Sequence, residues 1–103
     1  MKNEHKYSLI LIAVNQGYTD AVMQSARQAG ATGGTIIRAR LASDETAEQF
    51  HGFNLHSEKE IVAILAADTI KGSIMNAVNA EFGLKSEAQG MVLSLPVDKA
   101  FKI

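Results

Sequence analysis

Three cationic side chains flank a polar segment in the middle of the chain: Arg38 and Arg40 precede it, and Lys59 follows it. Guanidinium and ammonium groups that converge on one point bind carboxylates and phosphates, because each supplies a positive charge together with hydrogen-bond donors. Where the polar segment leaves and re-enters a sheet, the three cations would form an anion site. They are equally typical of solubility charges at a sheet edge, and both interpretations stay open.

The polar segment, Ala42–Ser57, is interrupted by two aromatic side chains, Phe50 and Phe53. Loops longer than ~12–15 residues are uncommon in small domains and usually have a function. Exposed aromatic rings are efficient anchors for a protein partner. Folded back, the same rings would only pin the loop to the body of the domain. Phe50 and Phe53 are therefore candidate partner-binding residues, with the pinning role as the alternative.

Catalytic and metal chemistry have little support. His51 and His56 lie in the polar segment at a spacing that differs from the i,i+4 pair of a helix face, and loop histidines are usually solvated, so we predict no metal site. The chain has no Cys, which excludes disulfides, thiolate metal sites and a Cys nucleophile. Gly33-Gly34 matches no Walker loop or dinucleotide fingerprint, and we expect a tight turn with positive φ there. We predict no catalytic residue.

The elements that would position these residues alternate between strands and helices. Aliphatic runs predict four strands: Tyr7–Val14, Thr35–Leu41, Glu58–Ala66 and Gly90–Leu95, the last ended by Pro96. Apolar spacing predicts two helices, from a Thr19 or Asp20 cap to Gln28 and from an Asp68 cap to Phe82, stopped by Gly30 and Gly83. This order is typical of an α+β, ferredoxin-like fold: a four-stranded antiparallel sheet with two helices on one face. We predict one domain, 1–103, with a long loop, 42–57.

Three of the predicted strands are apolar on both faces. In the third strand, for example, Ile61 and Leu65 oppose Val62 and Ile64, whereas a half-exposed strand should alternate apolar and polar residues. Two helices can cover only one face of the sheet, so we expect another copy of the chain to cover the second. A monomer with an apolar surface is the alternative.

Composition excludes several classes of protein. The 103 residues are 47% hydrophobic with no Trp, and ten Lys and Arg balance eleven Asp and Glu, for a net charge of −1. A polyanion binder would be strongly basic, and the sheet lacks the aromatic residues that stack on bases, so we predict no nucleic-acid binding. No apolar run reaches the ~18 residues of a membrane span, and no cleavage site follows the first apolar run. We expect a cytoplasmic protein without membrane insertion.

Two segments resemble the PII (nitrogen regulatory P-II) signalling superfamily: GATGGTIIRAR at 30–40 and VLSLPVD at 92–98. The resemblance extends from about Tyr7 to Lys102. It implies a ferredoxin-like homotrimer with inward-facing sheets, which acts as a sensor rather than an enzyme. PII proteins bind ATP or ADP between subunits, and many bind 2-oxoglutarate at the base of a long T-loop. That loop docks on transporters, enzymes or regulators, often in nitrogen metabolism.

The resemblance also implies roles for individual residues. Thr35 would lie beside an adenine, Lys59 would hold a 2-oxoglutarate carboxylate, Gly90 would end a phosphate-cradling loop, and Lys102 would replace a phosphate-contacting arginine. The chain departs from the family in that loop, where Met91 stands in place of a lysine. The effector therefore stays open among ATP, ADP, AMP and small metabolites. The candidate ligand-binding residues are Thr35, Arg38, Arg40, Lys59, Gly90 and Lys102.

The sequence thus predicts a PII-like sensor that regulates an unidentified partner protein through its long loop. The alternative is a small oligomeric ferredoxin-like enzyme with an active site between subunits, because this fold hosts both kinds of function.

Overall fold

The computed structural model describes residues 6–40 and 58–98; the segment 41–57 and the two ends, 1–5 and 99–103, lie outside the described residues. Each of the six predicted elements is confirmed. They are β1 (Tyr7–Asn15), α1 (Thr19–Gln28), β2 (Thr35–Arg40), β3 (Glu58–Ala67), α2 (Asp68–Phe82) and β4 (Met91–Val97). Leu41, the predicted end of the second strand, is outside the described residues.

The four strands form one sheet in the order β2-β3-β1-β4. All neighbours are antiparallel: β1 is central between β3 and β4, and β2 pairs with β3. The predicted α+β, ferredoxin-like architecture is confirmed. Among the described residues, no helix is long and apolar enough to cross a membrane.

The core lies between the sheet and the two helices. Ile10, Ile12 and Val62 of the sheet are fully buried against Val22 of α1 and Ile74 of α2. Val14, Ile64, Ala26 and Val78 complete the buried centre. Alternate strand residues and one stripe of each helix supply this layer, as the apolar periodicity predicted.

The predicted helix starts are wrong in detail, whereas the predicted stop of α1 is confirmed. Tyr18 is the N-cap of α1 and makes no side-chain capping bond. Ala67 is the N-cap of α2, and Asp68 instead accepts a 2.6 Å hydrogen bond from the hydroxyl of Ser8. At the end of α1, Gly30 has a φ of 119°. The two backbone hydrogen bonds of a Schellman motif form there, from the Gly30 N–H to the Arg27 carbonyl and from the Ala31 N–H to the Ala26 carbonyl.

Two further expectations are corrected. β4 continues through Pro96, because β4 is an edge strand, the position in a sheet where a proline is tolerated. Gly33 and Gly34 do not have positive φ; Gly17 and Gly30 do. Gly34 instead lies in a closely packed position, since a Cβ would lie 3.0 Å from the Met23 sulfur and 3.1 Å from the Ala63 carbonyl oxygen.

The second face of the sheet is apolar and open in the single chain. Leu65 and Leu95 are half-exposed there, and both neighbour Leu9 in the central strand. The register adds further apolar residues to this open face: Leu11, Ala13, Ile37, Ile61, Ala63, Met91 and Leu93. The predicted apolarity of both faces is confirmed. The expectation that another copy of the chain covers this face stays a prediction.

Candidate functional site

A pocket of about 310 Å³ lies at the end of β2 and the start of β3, where segment 41–57 leaves and re-enters the sheet. Arg38, Arg40 and Lys59 all line it, so the structure brings the three predicted cations together. The other lining residues are Gln16, Ala39, Glu58 and Glu60. The site therefore combines three positive charges with two carboxylates.

The cations reach the pocket from both faces of the sheet. In the register of β2 and β3, Arg38 lies opposite Glu60 and Arg40 lies opposite Glu58. Residues that lie opposite each other in neighbouring strands share a face of the sheet. These positions alternate with Ala39 and Lys59, which belong to the open face. The two guanidinium groups therefore extend from the helix side of an edge strand, and the ammonium extends from the opposite side.

Lys59 is the most enclosed of the three cations: it is half-buried, whereas Arg38 and Arg40 are exposed. Its Nζ donates a 2.7 Å hydrogen bond to the side-chain oxygen of Asn15. Burial alone lowers the pKa of Lys59 below its ordinary value of 10.5. Since an amide oxygen carries no net charge, it holds the ammonium without neutralising it, which favours binding of an anion.

Asn15 connects the pocket to the turn segment 84–90, which joins α2 to β4. The residue is 7% exposed. Its side-chain Nδ2 donates to the Glu87 carbonyl oxygen at 3.0 Å and to Gln89 Oε1 at 3.1 Å. Its backbone N–H donates to the Ala88 carbonyl at 2.8 Å. Asn15 is not among the predicted site residues, because an Asn before Gln-Gly at the end of a strand has the pattern of an ordinary turn.

The carboxylate of Glu60, which lines the pocket, accepts a hydrogen bond from the backbone. Its Oε1 accepts a 3.0 Å hydrogen bond from the Gly17 N–H, and the residue is 9% exposed. Gly17 has a φ of 102°, which a glycine adopts without strain. Glu60 thereby fixes the turn between β1 and α1, and with it the position of Gln16 at the pocket wall.

The turn segment 84–90 is closely packed. The Gly90 N–H donates to the Phe82 carbonyl at 2.8 Å, and a Cβ at position 90 would lie 2.2 Å from that carbonyl oxygen. Packing alone therefore requires a glycine here, independently of any ligand.

Tyr18, the N-cap of α1, contacts the same segment. Its hydroxyl donates a 3.3 Å hydrogen bond to the Glu87 carboxylate. Partial desolvation together with this carboxylate raises the pKa of the phenol.

The other predicted site residues lie away from the pocket or outside the described residues. Thr35 is exposed at the start of β2, and neither Thr35 nor Gly90 lines the pocket within one chain. Lys102, Phe50 and Phe53 lie outside the described residues. His51 and His56 do so as well. Among residues 6–40 and 58–98, no group of three His, Asp or Glu side chains could hold a metal.

Solved structures of PII proteins share this architecture. Arabidopsis thaliana PII bound to citrate superposes with a TM-score of 0.72 at 16% identity, over 100% of this chain and 85% of its own. A putative PII-like signalling protein from Thermus thermophilus gives a TM-score of 0.63 at 15% identity, over 90% and 89%. The chain has the PII fold. The Bacillus subtilis GlnK–ATP complex has the same PII fold, with a TM-score of 0.65 at 10% identity over 90% and 83%.

The predicted resemblance to PII proteins is thus confirmed at the level of the fold. No family profile and no curated protein sequence matches the chain. The identities of 10–16% mean that the PII fold is shared without a close likeness in sequence.

Proposed function

We propose that the protein is a PII-like sensor that binds a small anionic effector and reports it to a partner protein through segment 42–57. The observation that carries this proposal is the pocket of Arg38, Arg40 and Lys59 at the base of that segment. A ligand bound here would touch the strand ends from which the segment starts and to which it returns.

The charges of the pocket favour an anion. Arg38 and Arg40 offer guanidinium donors suited to carboxylate or phosphate oxygens. Lys59 adds an ammonium whose described partner is neutral. Of the two carboxylates, Glu60 already accepts a backbone hydrogen bond and Glu58 is exposed. The pocket thus keeps an excess of positive charge for a carboxylate or a phosphate.

The ligands named for two structural neighbours belong to the same chemical class. The Arabidopsis PII structure contains citrate, and the B. subtilis GlnK structure contains ATP. Both molecules are multiply charged anions. We infer that this chain binds an adenine nucleotide or a small carboxylate metabolite, with Thr35, Gly90 and Lys102 as further contacts.

The proposed assembly is a homotrimer whose open sheet faces pack inward. This arrangement would bury the apolar residues of the open face. It would also bring residues of neighbouring subunits toward each pocket, so that Thr35 and Gly90 could complete a site from a second chain. The effector would then bind in a cleft between subunits.

The proposed output is a change in segment 42–57. Effector contacts with Arg40 and Lys59 would bias the segment between ordered and released states, which is a common switching device. Phe50 and Phe53 would contact the target, a transporter, enzyme or regulator, with nitrogen metabolism as the candidate pathway.

Isothermal titration calorimetry tests the proposal with ADP, ATP, AMP, 2-oxoglutarate and bicarbonate. We expect at least one compound to bind the wild-type chain and to bind Arg40→Ala about tenfold more weakly, because one charge-assisted contact is lost. Arg27→Ala, on the exposed side of α1, is the matched control and should bind like the wild type. Absence of binding by every compound would overturn the proposal, and turnover of any of them would favour an enzyme instead.

A further inference from the structure

We propose that Asn15 is a positioning residue of the anion pocket, whose side-chain amide fixes the ammonium of Lys59 and couples it to the turn segment 84–90. The part played by the anion rests on the proposed function. The coupling itself is a property of the chain and can be tested without a ligand.

The turn segment sets the orientation of the Asn15 amide. An amide has two N–H donors and one carbonyl acceptor. Both donors are used by the Glu87 carbonyl oxygen and by Gln89 Oε1, so the carbonyl oxygen faces Lys59. A flipped amide would place its oxygen against the Glu87 carbonyl oxygen and its nitrogen against the ammonium. The hydrogen-bond network therefore permits one orientation, and in this orientation Asn15 accepts from Lys59.

The neutrality of Asn15 matters for the pocket. An aspartate would have nearly the same shape and would also accept from Lys59, but its charge would compensate the ammonium. Within residues 6–40 and 58–98 the ammonium, which has three donors, makes one hydrogen bond, to Asn15. Asn15 thus holds Lys59 in a fixed position while leaving its positive charge for a ligand.

The turn segment depends on the same amide. Gln89 has a φ of 49°, a left-handed conformation that is uncommon for a residue other than glycine and persists where surrounding contacts impose it. Its backbone N–H donates to the Ser86 carbonyl, and its side chain accepts from Asn15. A change at Lys59 therefore reaches Gln89 through a single shared side chain.

Asn15→Asp is the first test, because it adds a negative charge with little change in shape, although it also replaces the two N–H donors to Glu87 and Gln89 by an acceptor oxygen. We expect the pKa of Lys59, followed by NMR titration of its side chain, to rise above the wild-type value. Affinity for the anion that binds most tightly among the five compounds should fall about tenfold, since a carboxylate competes for the ammonium. Asn76→Asp, exposed on α2, adds the same charge away from the pocket and should change neither quantity. An unchanged Lys59 pKa in folded Asn15→Asp would overturn the proposal.

Lys59→Met is the second test, and it uses the full chain without ligand. The Asn15 oxygen loses its partner in this variant, so the amide should become free to reorient. We expect amide hydrogen exchange at Asn15, Gln89 and Gly90 to accelerate about tenfold, the effect of weakening one hydrogen bond. Arg40→Ala removes a charge from the same pocket without touching Asn15 and should leave this exchange unchanged. Equal exchange in Lys59→Met and wild type would overturn the coupling.

The two tests separate the coupling from the proposed function. If none of the five anions binds the wild-type chain, the proposed function fails, while the Lys59 pKa and the exchange rates still decide the coupling. If an anion binds but both measurements match the wild type, the sensor stands and Asn15 is only a structural residue.

Discussion

Lys59 is the residue on which the chemistry of the pocket depends most. Arg38 and Arg40 are exposed and neighbour glutamates across the β2–β3 pair, so solvent and nearby carboxylates weaken their attraction for a ligand. Lys59 is half-buried and is held by a neutral amide. Anion affinity should therefore follow the protonation state of this one side chain more closely than the total charge of the pocket.

The pH dependence of binding, measured with the anion that binds most tightly among the five compounds, follows from this argument. Burial lowers the pKa of Lys59, so the ammonium deprotonates below pH 10.5 and affinity should fall as the pH rises through that lowered value. Calorimetry across the range measures the loss.

Lys59→Arg is the control for this pH dependence. A guanidinium stays protonated in the same range, so any binding that remains in the variant should be independent of pH there. A wild-type affinity that did not change with pH would contradict the role given to Lys59.

Gly90 has a packing role that does not depend on a ligand. A Cβ at this position would lie 2.2 Å from the Phe82 carbonyl oxygen and 3.0 Å from a Val14 methyl group. Gly90→Ala should therefore lower the free energy of unfolding by about 2–3 kcal/mol, as overpacking of a core does. Urea denaturation measures the loss. Gly33→Ala is the matched control and should be nearly neutral, since a Cβ there meets nothing within 4 Å and φ is not positive.

At the scale of elements, the sequence predicted the type and order of every strand and helix in the described residues. Both signals are strong: the strands are continuous aliphatic runs, and the helices carry apolar stripes between glycine stops. Gly30 was predictable because a left-handed residue after a helix favours glycine. The two-sided apolar character of the strands was equally predictable, since it depends only on the parity of positions along each run.

The errors arose where tertiary contacts outweigh local preference. Asp68 is a good capping residue by type, but the hydroxyl of Ser8, sixty positions away, binds it instead. Pro96 stops most strands, but here it lies in an edge strand. Asn15 was missed for the same reason: its partners, Lys59, Glu87 and Gln89, are far away in sequence. No local pattern contains that information.

The stop of α1 provides a prediction at this scale. Gly30 has a φ of 119°, and an L-residue pays about 1–2 kcal/mol to adopt a left-handed conformation. Gly30→Ala should lower the free energy of unfolding by that amount in urea denaturation. Gly72→Ala is the control: it lies within α2, where an added Cβ would meet nothing within 4 Å, and better helix propensity should raise stability by about 0.5–1 kcal/mol. Equal effects of the two substitutions would contradict this account of the helix stop.

At the scale of the whole molecule, the open face links the composition to the assembly. The 47% of hydrophobic residues exceeds what the single layer between sheet and helices accommodates, because β1, β3 and β4 also carry aliphatic side chains on the other face. An apolar surface of this kind on a small protein usually marks an interface. The pocket and the open face meet at Lys59, so assembly and effector binding would involve the same end of the sheet.

Leu93→Glu tests the assembly directly. Leu93 neighbours Leu11 at the middle of the open face and is 45% exposed in the single chain, so a charge there should spare the core but oppose burial of this face in an interface. Light scattering after size exclusion should give three times the 11.1 kDa chain mass for the wild type and one chain mass for the variant. Gln24→Glu, exposed on α1, adds the same charge on the helix side and should stay trimeric. A monomeric wild type would overturn the proposed trimer, and a trimeric Leu93→Glu would place the interface away from the open face.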